Sequence, residues 1–385
     1  MSKEIKNLEE VAQRIKRAIK DKERIILYGD ADVDGISSVI ILKETIKSIG
    51  GNIGKIYFPN REKEGYGLNK NALNNLSNLS PALFITLDCG ISNFEEVKMA
   101  KDLGFEVIII DHHEVLGKFP EADIIVDPKR KDEEYPFSQF SNAAIIFRLS
   151  QLLLKDKEAE SLRNNFIELA ALSTLADMMP ELEDNEAIIQ EGLAHLGSSW
   201  RPGIKVFFEM EEIKDYISTR QAVQKIISAL NAGENKENLH ESYFLLTASS
   251  EKEAKVLASS LFERARERKF KIQEIVQEVE DRIQSDPSNA IIFEGSHSWP
   301  FSLMGPIASR ICAIFKKPTF IFKKNEKESQ GAVRMPKGLN GVTALISCKD
   351  FLKTFGGHPP AAGFRIENSN LEDFEKCLSE YFSNL

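Results

Sequence analysis

Cysteine is scarce in this sequence, and no two cysteines stand close together: Cys89, Cys312, Cys348 and Cys377 form no CxxC pair. That spacing excludes a zinc knuckle and argues against a disulfide framework, so four reduced thiols are expected. No apolar run approaches the ~20 residues that span a bilayer, and the opening MSKEIKNLEEV lacks the apolar core of a signal peptide. A cytoplasmic protein with no membrane partner is therefore expected. A basic excess is missing as well: 50 Lys and Arg face 59 Asp and Glu, for a net charge of -9. This excludes a uniformly basic nucleic-acid coat but leaves room for a local basic face. There is no internal repeat and no low-complexity tract. The 385 residues, 42% hydrophobic and 28% charged, read as a globular chain of two or three domains.

What the sequence does hold is charge concentrated where strands end. In Leu27-Tyr28-Gly29-Asp30-Ala31-Asp32-Val33-Asp34-Gly35, three carboxylates alternate directly after an apolar run. Such crowding is costly unless a cation sits among the carboxylates or the turn is solvated. A calcium loop would need Glu six residues after the Gly, where Ile41 stands. Further short runs (Leu83–Leu87, Val107–Ile110, Ile124–Val126) alternate with helical patterns, which implies a parallel sheet covered on both faces. Ligands of such sheets bind at the carboxyl ends of the strands. Three of the runs end in polar groups: Asp30/Asp32/Asp34, Asp88-Cys89-Gly90 and Asp111-His112-His113.

A helical pattern from about Glu158 to Ala176 ends in Asp177-Met178-Met179-Pro180, leaving a carboxylate at a helix C-terminus, where the dipole disfavours it. Residues 251–284 read as one long helix with a basic middle (Arg264, Arg266, Arg268, Lys269, Lys271), ended by Pro287. That middle either faces a cleft and tracks phosphates or balances Glu263 and Glu267 as a solvated face. Strand-like runs resume at Ala290, Thr319 and Gly331, ahead of Phe355-Gly356-Gly357-His358-Pro359-Pro360-Ala361-Ala362-Gly363, whose glycines permit close backbone approach to a ligand. The expected organisation is a catalytic domain over 1–200, a helical connector over 201–285 and a smaller α/β domain over 286–385.

Asp30, Asp32, Asp34, Asp88, Asp111, His112 and Asp177, with His113 beside them, form an oxygen-and-imidazole set without thiolate. Such a set suits Mn²⁺ or Mg²⁺ and is large enough for two ions. An ion pair of this kind drives in-line displacement at phosphorus. The blander reading of Asp111-His112-His113 is an N-cap followed by loop histidines.

The ordered set GDADVDG, DCG, DHH and STLADMMP, followed by GGHPPAAG, resembles the DHH phosphoesterase superfamily with its DHHA1 substrate domain, and within it the RecJ-type single-strand exonucleases. Tyr135-Pro136-Phe137, Asn185, Arg201-Pro202-Gly203, Leu230-Asn231-Ala232 and Ile307-Ala308-Ser309-Arg310 extend the likeness along the chain. The resemblance implies an α/β fold: a parallel-sheet DHH domain joined by a long helix to a smaller α/β DHHA1 domain, with the active site in the interdomain cleft. It implies an exonuclease dependent on two Mn²⁺ ions, with Mg²⁺ as a substitute, that converts single-stranded DNA, in preference to RNA, to mononucleotides in the 5'-3' direction. Asp30 and Asp32 would hold the first metal, Asp34, His112 and Asp177 the second, and Asp88 would bridge them. Asp111 would orient the imidazoles and His113 would contact the scissile phosphate. Gly356, Gly357 and His358 would grip the nucleic-acid backbone, with Asn231 among the substrate contacts. Arg310 and Arg334 would clamp phosphates or form ordinary surface ion pairs.

The sequence departs from the family pattern in three places. Glu234 stands where the pattern has a phosphate-binding Arg, the segment Trp299–Gly305 lacks the usual His and first Gly, and the chain ends soon after GGHPPAAG, so the family's added OB-fold platform is expected to be absent. Two other functions fit the same residues: hydrolysis of very short oligonucleotides or cyclic dinucleotides, and a non-catalytic replication or repair scaffold. Trp200 and Trp299 read as packing residues that could alternatively stack a base, and Cys89 as packing beside Asp88.

Overall fold

A computed structural model describes residues 4–383 except 116, 156–159, 215–217 and 286–288. The chain divides into two compact units, Met1–Ala265 and Arg266–Leu385.

In the first unit the Ile/Val/Leu runs form the strands β1 (Ile25–Gly29), β3 (Ala82–Leu87), β4 (Phe105–Ile110) and β5 (Ile124–Val126), and a short edge strand without such a run, β2 (Lys55–Tyr57), joins them. They pair in parallel in the order β2-β1-β3-β4-β5. Every residue of β1 and β3 is buried, because both faces of the sheet are covered. On one face lie α1 (Leu8–Lys20), α2 (Val33–Ser48) and, later in the chain, α6 (Asn142–Leu154) and α7 (Glu160–Ala176), which share one apolar core with Leu27, Ile85 and Ile108. On the other lie α4 (Lys70–Leu76) and α5 (Phe94–Asp102), packed with Ile26, Phe84, Val107 and Ile109. A single turn of helix, α3 (Arg61–Glu64), follows β2.

Residues 183–265 add to the same unit. They comprise α8 (Glu183–Leu196), α9 (Pro202–Glu209), α10 (Glu211–Lys214), α11 (Thr219–Leu230), the two-residue strands β6 (Asn235–Lys236) and β7 (Leu239–His240), α12 (Glu241–Leu246) and the start of the long helix α13 (Glu251–Ser285). Phe207, Val223, Leu245 and Ala254 join the large core. Residues 201–265, expected as a connector, thus lie within the first unit, while Pro287 falls outside the described residues.

The second unit contains β8 (Ile292–Ser296), α14 (Met304–Phe315), β9 (Thr319–Lys324), β10 (Glu328–Arg334), α15 (Gly341–Ser347), β11 (Leu352–His358), β12 (Ala361–Glu367) and α16 (Leu371–Ser383). Its sheet runs β11-β12-β10-β9-β8, antiparallel except for the β8–β9 pair. Ile275, Val276 and Val279 of α13 pack with Ile307, Ile311 and the buried Trp299. The expectation of four reduced thiols is corrected. Cys348, at the end of α15, and Cys377, on α16, form a disulfide because the two helices bring their Cα atoms to 6.0 Å. Their separation of 29 residues along the chain gave no local signal of this pairing. Cys89 and Cys312 are free and buried.

Candidate metal centre

The carboxyl ends of β1, β3 and β4 carry the acidic and imidazole side chains toward one another. Asp30 directly follows β1, and Asp32 is the N-cap of α2, its Oδ1 accepting the N–H groups of Asp34 and Gly35, both at 3.0 Å. Asp34 follows within the first turn of α2 and accepts the N–H groups of Asn142 (2.7 Å) and Ala143 (2.8 Å) at the start of α6. The start of α2 is thereby fastened to the start of α6, and Asp34 enjoys the favourable end of the α6 dipole. Asp88 leaves β3 in the left-handed region, φ 63°. With the Asn142 amide turned to satisfy both neighbours, its oxygen accepts the Asp88 N–H (3.0 Å) and its nitrogen donates to the Ile110 carbonyl (2.9 Å).

Asp111 is a hub rather than a free ligand. Its Oδ1 accepts the His112 N–H (2.8 Å) and bonds His113 Nδ1 (2.7 Å), while Oδ2 accepts the Ile91 N–H (3.0 Å). His112 is fixed from the other side, since its Nδ1 lies 2.7 Å from the Phe140 carbonyl, an acceptor only. The Nδ1–H tautomer follows, so Nε2 presents a lone pair. That lone pair faces Asp88 (3.1 Å), Asp177 (3.5 Å) and Asp34 (3.7 Å). Asp177 follows α7, and its Oδ2 is buried without a hydrogen-bond partner.

Ligand atoms of Asp34, His112 and Asp177 lie within 4.8 Å of one another, as do those of Asp30, Asp32 and Asp88, and those of Asp88, Asp111 and His113. A neutral imidazole nitrogen faces three carboxyl groups, and a buried oxygen of one of them, Asp177 Oδ2, has no hydrogen-bond partner. Both observations fit a divalent cation.

Electrostatics agree with this crowding. Burial, then Asp32, Asp34, Asp30 and Asp177, push Asp88 well above the usual carboxylate range. Burial, then Asp177 and Asp32, do the same to Asp34. Asp177 is pushed up to about 7 by burial and Asp32, against the pull of His113, Lys129 and Arg61. Burial, then the charges of His113 and Lys129, depress His112 to about 3, which keeps it a neutral donor atom. His113 goes the other way: burial opposes its charge, but Asp111 lifts it to about 9. Two adjacent imidazoles are thus driven to opposite protonation states: burial and neighbouring cations keep His112 neutral, while Asp111 holds the proton on His113.

Several residues at this centre carried no sequence motif. Arg61, on α3, pairs with Asp30 and with Asp32 Oδ2 (2.8 Å). Tyr66 Oη lies 3.1 Å from His113 Nε2 and donates to the Asp88 carbonyl (3.2 Å). The signal available was Asn60-Arg61-Glu62-Lys63-Glu64-Gly65-Tyr66-Gly67, a capped turn with glycines at positive φ directly after β2.

The remaining expected residues stand on other elements. Asn231 caps the C-terminus of α11, and Glu234 leads into the β6–β7 hairpin with its N–H on Glu241 Oε2 (3.1 Å). Gly356, Gly357 and His358 end β11 in the second unit, with Gly357 at φ 133°. Arg334 donates from Nε to Ser309 Oγ (2.9 Å), and Arg310 is exposed on α14. In the basic stretch of α13, Arg264 pairs with Glu241, Arg268 donates to the Ser302 carbonyl (2.9 Å) and Lys271 meets Glu274 (3.0 Å). Trp299 is buried and Trp200 is 56% exposed.

The fold and these clusters define a DHH-family protein with an appended DHHA1 domain: the DHH family N-terminal domain matches residues 24–174 and the DHHA1 domain matches residues 288–384, and the chain belongs to this family. Its relatives include the single-stranded-DNA-specific exonuclease RecJ of Bacillus subtilis (strain 168), 31% identical over 385 residues, covering 99% of this chain and 48% of that protein. The RecJ of Thermus thermophilus is 29% identical over 383 residues, covering 98% of this chain and 54% of that protein. The chain thus spans about half the length of these two curated relatives. A crystal structure of exonuclease RecJ bound to manganese superposes with a TM-score of 0.78 at 26% identity, covering 100% of this chain and 96% of that one.

Proposed function

We propose that the chain is a metal-dependent phosphodiesterase that hydrolyses single-stranded DNA, in preference to RNA, from an end, using two Mn²⁺ ions for which Mg²⁺ can substitute. The observation that carries this reading is His112 Nε2, facing Asp34, Asp88 and Asp177 with its Nδ1–H spent on Phe140. The kinship with RecJ exonucleases, one of them solved with manganese, supports the same class of reaction and substrate.

In this reading Asp30, Asp32 and Asp88 hold one ion, and Asp34, His112 and Asp177 hold the other, with Asp88 shared. Divalent cations held by these residues would supply activation of a water and compensation for charge developing on the phosphate oxygens. The chain's own groups do the rest. Asp111 fixes both imidazoles, because its Oδ1 receives the His112 N–H and bonds His113. His113, kept protonated by Asp111, donates from Nε2 to the scissile phosphate, where a charge-assisted bond strengthens as negative charge grows. Asn231, Arg310, Arg334, Gly356, Gly357 and His358 hold the nucleic-acid backbone. Digestion runs 5'-3' to mononucleotides.

The test is cleavage of end-labelled DNA and RNA, from dinucleotides to long strands, by wild type and Asp88→Ala in Mn²⁺. Stepwise digestion of long DNA, lost in the variant, is expected, with label placement giving the direction. Cleavage of only the shortest species would move the substrate to short oligonucleotides. Equal inactivity of both proteins would remove the enzymatic reading.

A further inference from the structure

The fifth strand of the first sheet also ends in charge. Because β4 and β5 pair in parallel and the Asp111 N–H donates to the Val126 carbonyl (3.0 Å), Asp127-Pro128-Lys129 leaves the sheet beside Asp111-His112-His113-Glu114. Asp127 is fully buried; its Oδ1 accepts the Lys129 N–H (2.8 Å), and its Oδ2 has no hydrogen-bond partner. The Lys129 side chain is only 4% exposed, and its Nζ lies 3.5 Å from Glu114 Oε1. Lysines ordinarily cover their methylenes and leave the ammonium in water. Here the whole side chain is enclosed: burial lowers its pKa against the pull of Glu114, Asp127 and Asp177, and its charge in turn bears on Asp127, Asp177 and both histidines.

We infer that Lys129 is a fixed cation of the metal centre, a positioning residue that holds Glu114 and sets how strongly the neighbouring carboxylates draw in divalent ions. The charge balance points the same way. Asp30, Asp32, Asp34, Asp88, Asp111, Asp127, Asp177 and Glu114 are eight acidic groups, against which this region sets the side chains of Arg61 and Lys129. Without Lys129 the acidic excess grows, and the centre would bind its ions more tightly than wild type. A plain structural ion pair between Lys129 and Glu114 has the opposite consequence, because its loss loosens the loop and weakens uptake.

The inference rests on the metal-centre reading, and the experiment separates the two. Mn²⁺ uptake by the metal-free full chain is titrated by electron paramagnetic resonance at pH 8 for wild type, Lys129→Met, Lys129→Gln and Lys129→Arg, alongside thermal melts. The neutral variants are expected to bind about tenfold more tightly, with Lys129→Arg matching wild type. Should Lys129→Met melt early, Lys129→Gln at intact fold carries the comparison. Unchanged or weaker affinity in the folded neutral variants overturns the role of Lys129. No uptake by wild type overturns the metal-centre reading instead.

Discussion

At the scale of single residues, the centre works by giving neighbours opposite tasks. Asp111 spends its oxygens on the His112 N–H, the Ile91 N–H and the His113 ring, and so lifts His113 to about 9 while its own carboxyl is held low. The sign of the linkage follows. With a folded pKa above the unfolded ~6.5, His113 contributes stability that is fully present below that value and is lost as pH rises through about 9. Asp111, depressed on folding, contributes stability present above ~3.9 and lost as pH falls through its lowered value. In the metal-free protein the His113 ring protons are expected to titrate near 9 by NMR, and near the ordinary value in Asp111→Asn; an unchanged midpoint in that variant would remove Asp111 as the cause. The acidic clusters were legible in the sequence because Asp30, Asp88 and Asp111 each follow an apolar run and Asp177 follows a helical pattern, so chain order placed them at element ends. The pairing of Arg61 with Asp30 and Asp32 was not, because it arises from tertiary packing of the turn after β2, and nothing in the sequence shows that the Lys129 side chain is enclosed beside Glu114.

At the scale of elements, the centre depends on how closely α2 approaches β1. A Cβ on Gly35 would stand 2.4 Å from the Asp30 carbonyl oxygen and 2.7 Å from its nitrogen, both backbone atoms that cannot swing away. Gly35→Ala must therefore push the start of α2, with Asp32 and Asp34, off the sheet. A loss of roughly 1–3 kcal/mol is expected, together with loss of the rise in melting temperature that Mn²⁺ gives wild type. A wild-type melt with an intact Mn²⁺ response would show that the helix start is not confined. Four of the five parallel strands were readable from their Ile/Val/Leu content, whereas the three-residue edge strand β2, Lys55-Ile56-Tyr57, was not. The β11–β12 hairpin was not readable, since Gly356-Gly357-His358-Pro359-Pro360 has little strand propensity and β11 is carried by pairing with β12, which in turn pairs with β10. The helices of 201–250 are short, and several bury their faces against different neighbours, which blurs the 3.6-residue period.

At the scale of the whole molecule, two units with separate cores divide the candidate roles. The first carries the metal-ligand clusters and the second carries Arg310, Arg334 and the GGH strand end. A net charge of -9 is compatible with a nucleic-acid substrate when much of the acidic excess is gathered around divalent cations. The most direct measurement is the electron paramagnetic resonance spectrum of the full chain loaded with Mn²⁺, with the bound ion counted. Two ions per chain, giving the spectrum of a magnetically interacting pair about 3.5–4 Å apart and losing that interaction in Asp88→Ala, is the expected result. A single isolated ion, or none, would contradict a shared two-ion centre.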